Sequence, residues 1–248
     1  MIFRESGVAQ LGLLDDGAPD RSWRVRQSAR ARRLAVRVLP GGLVEIVVPN
    51  GTRPRTVEMF VTRHRRWIER TVNLYRPSEV PTEGVLPEQI RFPAIEQSYA
   101  LRRVEQDGPP RLRIEGHSIV LAGAQDRPAL LRHALRRFTM RCALASLAPW
   151  LARLSAASGL RYERIQIRLQ RTRWGSCSRA GTISLNACLL FQVPEVVNYL
   201  LIHELAHTKH MNHSRRFWRL VADLEPRWRE LDAALTRGWR EVPFWAIG

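Results

Sequence analysis

The 248-residue chain carries 40 Lys and Arg against 23 Asp and Glu, a net charge of +17, with a hydrophobic fraction of 45%. That fraction supplies a globular core, and no apolar run reaches the roughly 18 residues of a membrane-spanning helix, which argues against a helical membrane protein. Cys142, Cys177 and Cys188 are odd in number and form no CxxC pair, which argues against a disulfide framework.

In chain order, residues 1–21 contain a short apolar stretch followed directly by Asp15 and Asp16, with no small-residue cleavage pattern. They are expected to be a disordered segment rather than a secretory leader, and the protein is expected to be cytoplasmic. Residues 22–125 form an expected mostly β region. RLAVRVLP and LVEIVVP are β-branched or alternating runs punctuated by Pro40, Gly41 and Gly42, as in a hairpin. In 55–76, Val57, Phe60, Val61, His64, Trp67, Ile68 and Val72 recur at three and four, the spacing of an amphipathic helix. A connector with Pro77, Pro81, Pro87 and Pro93 leads to three further strands, YALRRVEQ, RLRIE and SIVLAG.

Residues 126–248 read differently. A long helix opens at Asp126 and Pro128 and closes at Gly159, with a stripe through Leu130, Leu131, Ala134, Leu135, Phe138, Cys142, Leu144, Leu147 and Leu151. RIQIRLQ (164–170) and TISLNACLLF (182–191) are expected strands flanking the turn RTRWGSCSRAG. Three helices follow, one opening at Pro194, one after Asn212 and one from Pro226 to Gly238. The order of elements gives an α+β fold with an N-terminal mostly β region.

The helix opening at Pro194 contains HELAHTKHMNH, which holds four of the seven histidines. His203 and His207 are four apart, so they project side by side from one helix face, a spacing at which two imidazoles can share one Zn²⁺. Glu204 is rotated about 100° from His203 and can stand beside the metal as a general base without ligating it, the H-E-x-x-H arrangement. A third ligand is needed. His210 lies seven residues past His203, about 10.5 Å further along the helix axis, which is poor geometry for one ion. If Met211 and Asn212 end the helix, His213 can swing back over the metal. His203, His207 and His213 are therefore the expected ligands and Glu204 the expected base. His210 is expected at the helix terminus or behind the ligands.

Other candidates are weaker in kind. Trp174 reads as a core plug beside an awkward Gly175 backbone, while Ser176 or a backbone N–H of the WGSC turn could face substrate. Asn186 is a cleft residue or a satisfied interior amide, and the strand around it could pair with an extended peptide. Tyr199, Arg173 and Arg215 are candidates for a second electrophile. Cys177 as a fourth ligand would close the site. Phe217 and Trp218 read as packing residues.

RWGSCSRAGTISLNACLL followed by HELAHTKHMNHSRRFW resembles the YgjP-like metallopeptidase domain, a zincin family related to the WLM and SprT-type zinc metalloproteases. The resemblance implies a minigluzincin-like catalytic core, with His203, His207 and His213 as metal ligands and Glu204 as the catalytic glutamate. The implied activity is peptide hydrolysis on a polypeptide substrate.

All the basic residues except Lys209 are arginines. They can be a solvated surface or a seat for nucleotide or nucleic acid. The readings that follow are a zinc metallopeptidase, a metal-dependent hydrolase of nucleotide phosphoanhydrides, and a nucleic-acid-associated protease tethered through RQSARARR (26–33). Three imidazoles suit Zn²⁺ better than Mg²⁺, which favours the first.

Overall fold

The computed structural model describes residues 23–75, 86–123 and 127–247. The N-terminal segment 1–21, Pro77 and Pro81 of the connector and the expected helix start at Asp126 lie outside the described residues. The chain divides into two compact units, 1–78 and 79–248.

In the first unit, β1 (Trp23–Ser28) pairs parallel with β3 (Val44–Pro49), and β2 (Ala35–Val38) pairs antiparallel with β3. The β2–β3 hairpin turns through Gly41 and Gly42 at φ 83° and 81°, a left-handed backbone that glycine adopts without a Cβ clash. The central strand β3 is rich in Val and Ile, and Val44, Ile46, Val47 and Val48 are all buried. Helix α1 (Pro54–Tyr75) lays Val57, Val61 and Ile68 onto Val38, Val44, Ile46 and Val48. Spacings of four and seven on the helix meet spacings of two on the strand, so both periodicities serve one core.

The second unit holds two sheets. Strands β4 (Gln89–Phe92), β5 (Gln97–Val104), β6 (Arg111–Glu115) and β7 (Ser118–Ala122) lie in the order β4-β5-β7-β6. β4 falls where the sequence suggested only a Pro-rich connector. Its two inward residues, Ile90 and Phe92, are enough to make it a strand. This sheet belongs with the helical half rather than with 22–78, contrary to the expected boundary at 125/126. The reason is packing: the Phe92 ring lies 6.1 Å from Phe138 of helix α2 (Pro128–Ser158) and 5.4 Å from Phe191. Along α2, Leu131, Leu135, Phe138, Leu147 and Leu151 are buried, whereas Leu130 and Leu144 of the expected stripe are exposed. Gly159 ends the helix at φ 70°, as its sequence position suggested.

The second sheet has β8 (Arg164–Arg168), β9 (Gly175–Cys177) and β10 (Thr182–Asn186) in the order β8-β10-β9. The strand expected over 182–191 stops at Asn186, and 187–191 coil into a 3-10 turn. Asn186 is the cause. Its buried side chain accepts from the Cys188 N–H at 3.1 Å, which bends the chain out of the ladder. Helices α3 (Pro194–Ala206), α4 (Arg215–Leu224), α5 (Trp228–Arg237) and the single turn α6 (Phe244–Ile247) complete the unit. Among the described residues no helix is long and apolar enough to cross a membrane.

Candidate metal centre

Helix α3 is buried almost all round, with Val197, Tyr199, Leu201, Leu205 and Ala206 at 0% exposure or nearly so. A helix so enclosed holds its last turn in place, and His203 and His207 stand on that turn. The helix was expected to run to Met211 but ends at Ala206. The Thr208 hydroxyl donates to the Leu205 carbonyl at 2.7 Å, and the Lys209 N–H goes to Ala206 rather than to Leu205. The chain tightens and turns there, bringing His213 back one residue ahead of Ser214, which caps α4 by accepting from the Phe217 N–H.

One ligand atom from each of His203, His207 and His213 lies within 4.8 Å of the others. The His203 and His213 Nε2 atoms are 3.1 Å apart. Nitrogens each about 2.0–2.1 Å from a shared tetrahedral ion would stand roughly 3.3–3.5 Å apart, so this spacing is close to that of a metal-binding set. Proton bookkeeping agrees. His207 Nδ1 faces the His210 carbonyl at 3.1 Å; a carbonyl only accepts, so Nδ1 carries the proton and Nε2 a lone pair. Tyr199 donates its hydroxyl proton to Asp232 Oδ1 at 2.7 Å, so toward His203 Nδ1, at 3.3 Å, it offers only lone pairs. His203 Nδ1 therefore also carries its proton, and its Nε2 is free. Burial, then His207 and His213, push the His203 imidazole down to about 3; His207 is lowered too, chiefly by burial. Both rings are neutral at pH 7. Neutral imidazoles with converging lone pairs fit a divalent cation of the zinc type.

The Phe217 ring, fully buried, touches all three imidazoles, with centroids 5.0, 4.4 and 4.8 Å from His203, His207 and His213. Trp218 stacks on His213 at 5.4 Å and on Trp228 at 4.3 Å. These two residues pack, as expected, and what they pack is the histidine cluster itself.

Glu204 is 4% exposed, and its Oε2 has no hydrogen-bond partner among the described residues. Desolvation pushes its carboxyl up from 4.5 to about 8, with the Arg173 charge pulling the other way. A buried carboxyl with an unpartnered oxygen is costly to the fold, and such groups concentrate at functional sites. The native state thus holds a proton that the unfolded state lacks between pH 4.5 and 8. The associated stability is fully present below about 4.5 and is lost as pH rises through about 8. In chelator-treated protein, Glu204→Gln is expected to gain about 3–5 kcal/mol over the parent between pH 5 and pH 9. Urea unfolding of both proteins at the two pH values measures this, and an unchanging gap would show that Glu204 is not desolvated.

Gly175 explains how Glu204 fits. A Cβ at Gly175 would stand 2.5 Å from Glu204 Oε1 and 2.8 Å from its Cδ. The WGSC turn is therefore the cradle of the carboxylate. Asn186 pins that turn: its Nδ2 donates to the Gln170 and Arg173 carbonyls at 2.7 and 2.9 Å, and its N–H to the Trp174 carbonyl at 2.8 Å. Asn186 is thus the satisfied interior amide of the two alternatives. Trp174 is buried and stacks on Trp239 at 4.0 Å, the core-plug role. Gln192, just ahead of α3, donates to the Gly238 carbonyl at 2.9 Å.

The remaining candidates are placed as follows. His210 contributes its carbonyl to His207. Arg173 is exposed and bears electrostatically on Glu204. Ser176 lies on β9 opposite Ser184, and Arg215 is the exposed first residue of α4. Tyr199 is fully buried and bonded to Asp232, which removes it as a free electrophile. Cys177 stands outside the histidine group, its thiol pushed up to about 11 by burial and then by Glu204. Sequence reasoning missed Asp232, which carries no local signal, and the close approach behind Gly175. The position of Tyr199, one turn before His203, was the available clue to its role.

Comparison with known proteins places these features. No curated protein matches the chain. The crystal structure of the metallopeptidase zymogen of Pyrococcus abyssi abylysin is 32% identical over 35% of this chain and 88% of that chain, with a TM-score of 0.33. A profile of the YgjP-like, metallopeptidase domain family matches residues 32–238, which include all three histidines, Glu204 and the WGSC turn. By that match the chain belongs to the YgjP-like metallopeptidase domain family.

Proposed function

We propose that this protein is a zinc-dependent peptidase in which His203, His207 and His213 hold the ion and Glu204 is the general base. The observation that carries the reading is the convergence of three imidazole nitrogens within 4.8 Å of one another, with the buried Glu204 carboxyl, one of whose oxygens has no partner among the described residues, next to His203 on the same helix. Bound there, zinc would supply Lewis acidity and a water of lowered pKa. Glu204 takes the proton from the attacking water and returns it to the leaving amine. Phe217 and Trp218 exclude bulk water from one side and fix the imidazole planes.

A polypeptide substrate is favoured over a nucleotide by the sheet. Strand β10 is paired on both sides, so it cannot take an added strand as first expected; of the two edge strands, β8 and β9, it is β9 that lies beside Glu204. An extended peptide pairing along Gly175–Cys177 would lie next to the base. The three free thiols suit a cytoplasmic site of action.

Chelation followed by zinc restoration tests the assignment. Cleavage of a denatured protein should vanish with the metal and return with about one equivalent of zinc. Hydrolysis of nucleoside triphosphates in place of proteins would overturn the peptidase reading.

A further inference from the structure

We propose that Tyr199 and Asp232 form a positioning relay for His203, so that α5, which supplies no ligand, helps set how tightly the centre holds its ion. The inference rests on the metal-centre reading above. Tyr199 has one hydroxyl proton and two neighbours. At 2.7 Å from Asp232 Oδ1, that proton belongs to the carboxylate, the stronger acceptor. The oxygen is left as an acceptor for His203 Nδ1 at 3.3 Å. This order, carboxylate to hydroxyl to imidazole, allows one arrangement of protons, the one that leaves His203 Nε2 bare toward His213.

The carboxylate does more than complete a chain. Its charge polarises the Tyr199 hydroxyl and makes the oxygen a better acceptor. That in turn makes the imidazole a better electron donor at Nε2. Tyr199 is fully buried, so this polarisation is little screened by water. The placement follows from helix geometry: Tyr199 stands one turn before His203 on α3, its ring 5.8 Å away, and α5 packs against α3 at that level. His207 is held differently. Its partner, the His210 carbonyl, comes from the turn that follows it in the chain. One ligand is thus fixed locally and the other through a helix nearly 30 residues downstream.

Tyr199→Phe keeps the ring and removes the oxygen. Asp232→Asn removes the charge. Zinc affinity is measured for the full chain by competition with a chromophoric chelator, and the chelated proteins are compared by urea unfolding. The parent should bind about one zinc; if it binds none, the metal-centre reading itself fails. With the parent loaded, Tyr199→Phe should bind about 10- to 100-fold more weakly, and Asp232→Asn should be intermediate. The double variant should be no weaker than Tyr199→Phe alone, because Asp232 acts only through Tyr199. The visible spectrum of the Co²⁺-loaded protein should shift in Tyr199→Phe, which a purely structural role would not produce. Parent-like zinc affinity in folded Tyr199→Phe overturns the relay. So does a double variant whose losses multiply, since Asp232 would then act on its own.

Discussion

Glu204→Gln should lower kcat/KM for peptide cleavage by about 10²–10⁴-fold while the protein still binds about one zinc per chain. The two readouts separate because the residue has one job. Gln preserves the shape that fills the space behind Gly175, and the three imidazoles are positioned by other groups: Tyr199, the His210 carbonyl and the Ser214 cap. What Gln lacks is a place for a proton. Metal analysis alongside steady-state kinetics makes the comparison. Loss of zinc together with activity would recast Glu204 as part of the scaffold of the centre, and retained activity would remove it as the base.

Gly175→Ala should produce a similar defect by a different route. The added Cβ would fall 2.5 Å from Glu204 Oε1 and 2.9 Å from its Cγ, inside any normal contact. The strand has little freedom to yield. Gly175 is paired with Leu185 of β10, and the residues just before it are held by Asn186. The carboxylate must move instead. A displacement of about 1 Å at a reacting group costs on the order of 10²-fold in rate, so kcat should fall by at least about that much. Zinc affinity should remain within about threefold of the parent, since the three atoms nearest the added Cβ all belong to Glu204 and none to an imidazole (a fold-change that small is under 1 kcal/mol). Parent-like turnover in this variant would mean that Glu204 is not held by the cradle. Together the two substitutions separate the chemistry of the carboxylate from its placement.

How much of this was visible in the sequence depended on range. The pair His203 and His207 with Glu204 was legible because a four-residue spacing on a helix is local geometry. His213 was legible once a chain reversal was assumed, although the reversal begins five residues earlier than expected, at a Thr208 hydroxyl bond whose effect on the helix end is hard to anticipate. Strand β4 was missed because Ile90 and Phe92 give a period of two over only four residues, and the neighbouring prolines outweighed it. The assignment of the β4–β7 sheet to the helical unit was hidden because it depends on Phe92 meeting Phe138 and Phe191 across long stretches of chain. Gly175 and Asp232 belong to the same class. A glycine that makes room for a carboxylate 29 residues away, and an aspartate that reaches a histidine through a tyrosine, leave no trace in local spacing.

The tie between the WGSC turn and the C-terminal segment bears on where the protein can be cut. Trp174 stacks on Trp239, Gln192 holds the Gly238 carbonyl, and Asp232 holds Tyr199. A fragment ending at Leu224 would retain every histidine of the cluster and Glu204, yet it would lose all three of these braces. Removal of the segment after α4 would therefore inactivate the molecule without removing a single reacting group, and trimming toward the signature motif would yield an inert remnant rather than a minimal enzyme.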